Sequence, residues 1–228
     1  QMLSAYDGFF KLGKGFPKFK SKHDNNSALF PCEAISKSNS FETRHISLTK
    51  SLKNIKFHCS NLYFERLQKY KDNIKSATLS KTKSGKFYLS VLILMNEEEF
   101  KQFRHTNNKV GIDLGVKDFI ITSDGEVFEN KHFFKKSENR IKKLQRRLSK
   151  KAKGSNNRNK IRIKIAKEFE HLTNQRMDYI HNAVNSLLKT YDYIFMENLN
   201  VQGMLKNHKL AKAIQELGFY AFKNTLKN

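Results

Sequence analysis

The chain has 228 residues, 38% hydrophobic and 29% charged, a composition typical of a folded protein rather than a disordered one. It carries 44 Lys and Arg against 21 Asp and Glu, which gives a formal net charge of +23. No uninterrupted apolar run approaches the roughly 18 residues that span a bilayer, which argues against a membrane protein. The charge favours a polyanionic partner, and nucleic acid is the first candidate.

The two cysteines and the two chain ends indicate a cytoplasmic location and an incomplete chain. Cys32 and Cys59 stand alone, and neither has a second Cys two residues away, so the sequence predicts no zinc knuckle. Isolated cysteines without a signal peptide are typical of the reducing cytoplasm. The chain begins at Gln1 in mid-pattern and stops at Asn228 directly after a helical segment, so we expect a piece of a longer protein.

Residues 1–100 predict a small β-rich domain. A Lys- and Phe-rich stretch with Gly and Pro at 11–20 predicts an extended loop, and short β-type runs follow at 28–34, 43–49 and 52–59. The clearest element is a hairpin, with arms at 74–82 and 86–95 joined by a Ser-Gly turn. A short helical or irregular insert is expected near 61–71. Together these elements predict a β-barrel or wedge.

Residues 101–228 predict a second, α/β domain after a polar linker at 96–108. Strands are expected at 109–114, 119–123 and 126–130, the last two joined by an Asp-Gly turn. Helical periodicity begins near 135, and a helix at 159–189 would be about 45 Å long. A strand at 193–197 and a helix at 210–226 follow. This order predicts an RNase H-like fold with a long helical insertion, so the whole chain is expected to be α+β followed by α/β.

Two acids end apolar segments that predict buried strands. Asp113 lies in the run Gly-Ile-Asp-Leu-Gly at 111–115, and Glu197 follows the aromatic-rich segment 193–196. Strand alternation sets Asp113 on the face of Gly111 and Gly115, which leave room for a ligand or backbone beside the carboxylate. A single strand-end acid is more often a cap or turn former. Burial of an unpaired carboxylate is costly, so buried acids usually have a cation nearby. Two strand-end acids in this order of strands and helices therefore predict that both bind the same metal.

The metal that fits these acids is magnesium or manganese. Hydrolysis of a phosphodiester needs an activated water and stabilised charge on the attacking and leaving oxygens, and two Mg²⁺ ions about 3.5–4 Å apart provide both. Such hard cations take carboxylates rather than His or Cys. We therefore predict Asp113 and Glu197 as catalytic residues and metal ligands. Asp118 and Asp124 are predicted as surface or turn residues, so the third acid is expected outside this chain.

A basic run at 135–167 predicts the contact with nucleic acid. It holds fifteen Lys and Arg against the single acid Glu138, or +14 of the net charge. Although such a run is usually a solvated face, here it interrupts a domain whose acids need a polyanion nearby. No base-reading pattern is visible in it. The residues predicted to bind nucleic acid are Lys142, Lys143, Arg146, Arg147, Lys150, Lys151, Arg158 and Arg162, together with Arg176 further along.

Aromatic and basic residues also alternate near the start of the chain. Phe9, Phe10, Phe16 and Phe19 are interleaved with four lysines between positions 11 and 20. Rings in such a setting can stack on single-stranded bases, and they can equally belong to a hydrophobic core. The sequence leaves both interpretations open.

Taken together, these residues resemble the TnpB/OrfB family of transposon-encoded RNA-guided nucleases, relatives of compact type V CRISPR nucleases. The matching segments include Val-Gly-Ile-Asp-Leu-Gly-Val-Lys-Asp-Phe at 110–119 and Leu-Gln-Arg-Arg-Leu-Ser-Lys-Lys at 144–151. Gly-Phe-Pro-Lys-Phe-Lys-Ser-Lys at 15–22 and Asn-Gln-Arg at 174–176, with Asp178 and His181, also match. The segment 197–214, from Glu-Asn-Leu-Asn to Lys-Ala-Ile, is the most specific.

The resemblance implies a function for each part of the chain. It implies a wedge domain that holds guide RNA and target DNA, then a split RuvC domain in which Asp113 and Glu197 match the first and second acids. The family's third acid and four-Cys zinc ribbon are expected beyond Asn228, so zinc is expected only there. We therefore expect a Mg²⁺-dependent DNA endonuclease in the intact protein and little cleavage by this chain alone.

Two other functions compete with the nuclease. One is a guide-RNA or DNA-binding module that does not cleave. The other is an ATPase of the actin and heat-shock type, whose first phosphate loop also follows a Gly-Ile-Asp-Leu-Gly strand. That class needs a Gly-Thr-Thr type of turn after the strand, where this chain has Val-Lys-Asp at 116–118, and it has no use for the basic run.

Overall fold

A computed structural model describes residues 2–18, 26–31, 35, 41–95, 107–204 and 206–227 of the chain. They divide into two compact units, Gln1–Glu97 and Glu98–Asn228. Each unit has its own buried hydrophobic cluster. Parts of the predicted loop at 11–20, of the strand at 28–34 and of the linker at 96–108 lie outside the described residues.

The first unit is built around the predicted hairpin, which is confirmed. Its strands in chain order are β1 (Asn26–Pro31), β2 (His45–Ile46), β3 (Ile55–Lys56), β4 (Ile74–Lys81) and β5 (Phe87–Ile93). The sheet order is β1-β4-β5, with both pairs antiparallel, while β2 and β3 form a separate pair. Between β4 and β5 the chain turns at Gly85, whose φ of +93° lies in the region that glycine adopts without strain.

The described part of the first unit includes the α-helices α1 (Met2–Leu12) and α2 (Asn61–Lys69). The helical insert predicted near 61–71 is therefore confirmed, and its N-terminus is capped by Ser60, whose hydroxyl accepts the Tyr63 N–H. The strands predicted at 43–49 and 52–59 are much shorter than expected. A turn in which Leu48 N–H and Leu52 O bond at 2.8 Å occupies the chain between them.

The predicted β-barrel is wrong, because none of the sheets formed by the described residues closes on itself. The three-stranded sheet packs one face on a cluster that includes Phe41, Leu48 and Leu67. Its other face carries exposed Leu29, Tyr88 and Leu92 among Ser and Thr residues. The hydrophobic core is therefore buried on one face of an open sheet, and the sheet does not need to close into a barrel.

The second unit contains a four-stranded sheet, and all four predicted strands are confirmed. They are β6 (Lys109–Asp113), β7 (Asp118–Thr122), β8 (Val127–Glu129) and β9 (Tyr193–Met196). The sheet order is β8-β7-β6-β9. The first three strands form an antiparallel meander, whereas β9 lies parallel to β6. The return from the meander to β9 requires a long crossover, which the helices supply.

The helices of this unit are α3 (Phe133–Ser149), α4 (Asn156–Thr190), α5 (Val201–Met204), α6 (His208–Leu217) and α7 (Phe219–Lys227). The long helix predicted at 159–189 is confirmed as α4, with Ser155 as its N-cap. The single helix predicted at 210–226 is wrong, because it breaks into α6 and α7 at Gly218, whose φ is +71°. No helix in the described ranges is both long enough and apolar enough to cross a bilayer.

The core of the second unit lies between one face of the sheet and helices α4, α6 and α7. Its buried members are Val110, Ile112, Phe119, Ile120, Ile180, Ala183, Val184, Leu187, Tyr191, Ile214, Leu217, Phe219 and Phe222. An irregularity in the β7–β8 register between Asp118 and Ile120 accompanies a Phe119 side chain packed against the rings of Phe219 and Phe222. This side of the sheet is fully covered, and the unit is a mixed α/β fold.

Candidate functional site

The parallel pairing of β6 with β9 brings Asp113 and Glu197 together. Gly111 lies opposite Phe195 and Ile112 opposite Met196, and Asp113 and Glu197 are the next residues of the two segments after this last pair. Neighbouring strands run about 4.8 Å apart, and parallel strands end at the same edge of a sheet. Two acids that are 84 positions apart in the chain therefore occupy adjacent strand ends.

Polar contacts at the opposite end of these strands hold their register. The Asn108 carbonyl accepts the N–H groups of Asp192 and Tyr193 at 3.0 and 3.1 Å, and its side-chain amide donates to Thr190 O at 3.1 Å. Asn107 N–H donates to the Asp192 carboxylate at 2.6 Å. Because a slip of one residue would turn every side chain to the other face, these contacts decide where both acids point.

The loop after β9 is anchored on both sides of Glu197. Lys223 on α7 donates to the Asn198 side-chain oxygen at 2.6 Å. The Asn200 side chain accepts Gly203 N–H at 2.9 Å and so caps the short helix α5. Glu197 is therefore held between a fixed strand and a fixed loop.

Both acids are exposed, which corrects the expectation of buried carboxylates. Asp113 alternates with the buried Val110 and Ile112, so its side chain projects from the face of the sheet opposite the helices, and Glu197 directly follows β9. That face also carries Tyr193 and Phe195, which are 50% and 60% exposed. No described element of the second unit packs on it, and both carboxylates are exposed to solvent.

The two glycines beside Asp113 have different roles. A Cβ added to Gly115 would lie 2.9 Å from the Asp118 carbonyl oxygen, so the backbone itself fills the space there. A Cβ added to Gly111 would meet only the Ser123 Cβ, at the ordinary contact distance of 3.8 Å. Glycine is therefore needed at position 115 to leave space for the Asp118 backbone, as predicted. At position 111 a larger side chain would fit.

The donor set fits a magnesium-type ion with few protein ligands. No group of three or more His, Cys, Asp or Glu that could hold a metal occurs in the described part of the chain. Mg²⁺ commonly keeps several waters and takes only one or two carboxylates together with substrate phosphates. Asp113 and Glu197 at adjacent strand ends meet that requirement.

The two other nearby acids have structural positions. Asp124, in the β7–β8 turn, accepts hydrogen bonds from the Ser123 hydroxyl at 3.1 Å and from the Tyr191 hydroxyl at 2.8 Å. The bond to Asp124 raises the pKa of Tyr191 because it stabilises the neutral phenol. Asp118 starts β7, on the far side of the turn that follows Asp113. Asp124 thus ties the turn to the C-terminus of α4.

Helices α3 and α4 form an antiparallel hairpin that carries the basic run. The Arg140 guanidinium pairs with Glu168 at 2.9 Å across the hairpin. Three of the nine predicted nucleic-acid contacts are engaged within the protein: Lys142 pairs with Glu138, Arg158 donates to the carbonyls of Leu148 and Lys151, and Arg176 donates to Gln215 O. The other six are exposed: Lys143, Arg146, Arg147, Lys150, Lys151 and Arg162.

Glu138, the single acid of the basic run, joins α3 to α6. Its carboxylate accepts from Lys212 at 2.8 Å and from Lys142 at 2.9 Å. These hydrogen bonds lower the pKa of Glu138 to about 2. Glu216 makes a second link between the same helices, because its Oε1 accepts the Phe134 N–H at 2.8 Å.

The N-terminal aromatic residues lie outside both hydrophobic cores. Phe9, Phe10 and Phe16 pack edge to face with one another or with Tyr6, and Phe10 and Phe16 are largely exposed. Neither buried cluster includes them. Phe19 lies outside the described residues. Stacking on bases stays a prediction for this segment.

Sequence reasoning missed the residues that set the geometry. Asn108 and Asp192, which fix the register, directly precede β6 and β9, and a polar residue at such a position looks like an ordinary loop residue in the sequence. Phe134 and Phe169 line a groove between helices that their helical spacing alone does not reveal. The sequence signal that could have indicated the register contacts was the presence of a polar residue directly before each of the two strands β6 and β9.

The chain matches a known family over most of its second unit and the few residues before it. Residues 92–208, just over half of the chain, match OrfB_IS605, described as a probable transposase. The match includes both acids and the basic hairpin.

Two curated relatives are similar over a longer stretch. A Streptomyces pristinaespiralis protein named "Putative RNA-guided DNA endonuclease" is 27% identical over 226 residues, 99% of this chain and 54% of that protein. "Putative RNA-guided DNA endonuclease InsQ" of Escherichia coli (strain K12) is 30% identical over 204 residues, 89% of this chain and 47% of that protein. The chain thus spans about half the length of these relatives, and it belongs to the OrfB_IS605 family of probable transposases.

Proposed function

We propose that the protein serves in transposition as an RNA-guided, metal-dependent DNA endonuclease, with the second unit as its RuvC-type nuclease domain. The observation that carries the proposal is the parallel register of β6 and β9, which sets Asp113 and Glu197 at adjacent strand ends. Membership of a transposase family and the names of the two relatives support the same function. DNA and a guide RNA are the proposed partners.

In this proposal each acid contributes one carboxylate to a Mg²⁺ or Mn²⁺ ion. The ion, when bound, would activate water and stabilise charge on the phosphate. The exposed sheet face leaves the carboxylates accessible to a nucleic-acid strand, as a nuclease requires. The register contacts of Asn108 and the anchoring of Asn198 by Lys223 hold the carboxylates before substrate arrives, so less ordering is needed on binding.

The exposed cations of the α3–α4 hairpin would hold the phosphate backbone. They are long side chains on a rigid helix pair, and contacts of this kind add affinity without reading sequence. Sequence selection would therefore rest with the guide RNA. The actin-type ATPase is disfavoured, because Val-Lys-Asp at 116–118 follows β6 where that class needs a Gly-Thr-Thr type of turn.

A non-cleaving guide-RNA or DNA-binding module is the second candidate, favoured by the presence of only two strand-end acids in the described part of the site. A nicking assay separates the two functions. The protein from the complete reading frame, with its co-purified RNA, is incubated with supercoiled DNA and Mg²⁺ or Mn²⁺. Asp113→Asn and Glu197→Gln should abolish nicking, and Asp72→Asn, an exposed acid of the first unit, should not. Equal nicking by all four proteins would refute the nuclease assignment.

A further inference from the structure

A groove between helices α3, α4 and α6 has the composition of a site for a flat ring. It encloses about 220 Å³, and four of its nine lining residues are apolar, Phe133, Phe134, Phe169 and Leu172, while the other five are polar or charged. This volume is below the range of pockets for drug-sized ligands, about 300–1,000 Å³, so it suits a single small ring system. An apolar groove with a few convergent polar groups is the usual form of a ligand site.

One aromatic side chain is free to stack on a ligand. Phe169 is 43% exposed and forms no ring pair with another described aromatic residue. The two other rings are already engaged on one side, since Phe133 packs edge to face against Tyr179 and Phe134 lies under the Lys212 ammonium at 5.0 Å. Phe169 is therefore the aromatic residue of the groove whose ring is available for stacking on a ligand.

The charge around the groove favours an anionic polymer that carries the ring. Two cations line the groove itself, Arg176 and Lys212, and the exposed Lys135, Lys136 and Lys167 belong to the same two helices α3 and α4 as its aromatic residues. A nucleic-acid strand supplies both parts, a flat base for the groove and phosphates for these lysines. A free aromatic metabolite or an apolar peptide would leave the lysines without a counterpart.

The Glu216 carboxylate in the groove has one oxygen that can accept a hydrogen bond from a ligand. Glu216 lines it and uses Oε1 for the Phe134 N–H, while Oε2 has no partner among the described residues. Carboxylates accept from exocyclic amino groups such as the cytosine N4, which thymine lacks. We propose that this groove binds one unpaired nucleobase that bears an amino group, from the single strand held by the basic hairpin. The inference rests on the proposed nucleic-acid binding and adds a base site to it.

Single-strand binding by the whole 228-residue chain tests the proposal. The probes are oligo-dC and oligo-dT, the RNA equivalent of oligo-dC, and a duplex of equal length. Phe169→Ala should weaken oligo-dC binding about 5- to 150-fold, the range for one stacked base. The slope of affinity against salt should stay unchanged, because no phosphate contact is lost. Duplex binding should be unaffected, and comparison of the DNA and RNA strands shows which one supplies the base.

Three further variants make the result specific. Ile163→Ala is the matched control, an apolar residue on the same helix that is 42% exposed and lies outside the groove. It should bind oligo-dC like the unmodified chain. Phe169→Trp should restore binding, and Glu216→Gln, whose amide oxygen can still accept the Phe134 N–H, should reduce the preference for oligo-dC over oligo-dT.

Crosslinking locates the base independently of affinity. An oligonucleotide with 5-iodocytosine should crosslink to peptides containing Phe169 or Phe134. If Phe169→Ala behaves like Ile163→Ala, or the crosslinks map elsewhere while salt-dependent binding persists, the base site is refuted and nucleic-acid binding stands. If the chain binds no nucleic acid, the base site and the proposed function both fail.

Discussion

Charge removal from one stripe of α3 should change the salt dependence of nucleic-acid binding by a defined amount. Lys143 and Arg147 of α3 and its C-cap Lys150 are spaced at i, i+4 and i+7, are exposed, and have no side-chain ion pair or hydrogen bond with another described residue. The perturbation replaces all three with glutamine. The folded unit should be unaffected, because exposed lysines without partners contribute little to stability.

The expected magnitude follows from counterion release. Each phosphate contact on a single strand contributes about 0.7 to the slope of log affinity against log salt concentration. Three lost contacts should therefore lower the slope by about 2, which corresponds to about 100-fold weaker binding near 0.1 M salt. Fluorescence anisotropy of a labelled single strand across a salt series measures both quantities.

A matched variant removes the same charge elsewhere in the second unit. Lys189, Lys206 and Lys227 are also exposed, lie outside the basic run, and are replaced with glutamine together. The slope should then stay that of the unmodified chain. If both triple variants lose equal slope, net charge and not the hairpin accounts for binding. If neither does, the role assigned to α3 is wrong.

Three further predictions concern the framework of the site. Gly115→Ala should destabilise the second unit by about 1–3 kcal/mol in urea unfolding because its Cβ would clash with the Asp118 backbone, whereas Gly111→Ala should be nearly neutral. Asn108→Ala should cost about 1 kcal/mol through loss of the bond to Thr190 O, and unchanged stability would contradict its role in register. Glu138→Gln should lower the melting temperature at neutral pH. Because the folded pKa of Glu138 is lowered to about 2 from 4.5, the stabilisation is complete above pH 4.5 and lost as the pH falls toward 2, so the difference between the two proteins should shrink over that window.

The pairing of the acids was predictable because it depends on local patterns and fold order. Alternation defined β6, an aromatic-rich apolar segment defined β9, and the order of strands and helices predicted that the two strand-end acids meet. The exposure of Asp113 and Glu197 was not predictable, because it depends on whether a further element covers the second face of the sheet. An apolar strand such as 193–196 looks the same in sequence whether one or both of its faces are buried.

The errors elsewhere arise from long-range structure. Short β-type runs in the first unit do not reveal whether their sheet closes, so a barrel was predicted where open sheets form. The apolar spacing continues through Gly218, so the break between α6 and α7 depends on the backbone of one residue. The hydrogen bond from Arg176 to the Gln215 carbonyl could not be foreseen either, because that partner lies 39 residues further along the chain.

The sharing of one metal ion by Asp113 and Glu197 is tested most directly by Mn²⁺ titration of the chain, followed by electron paramagnetic resonance. The unmodified protein, Asp113→Asn, Glu197→Gln and the double variant form a cycle, with Asp72→Asn as control. If both carboxylates hold the same ion, each single variant loses at least about tenfold in affinity and the double variant loses far less than the sum of the two effects. If the single variants bind Mn²⁺ like the control, or if their losses are fully additive, the two acids do not share an ion.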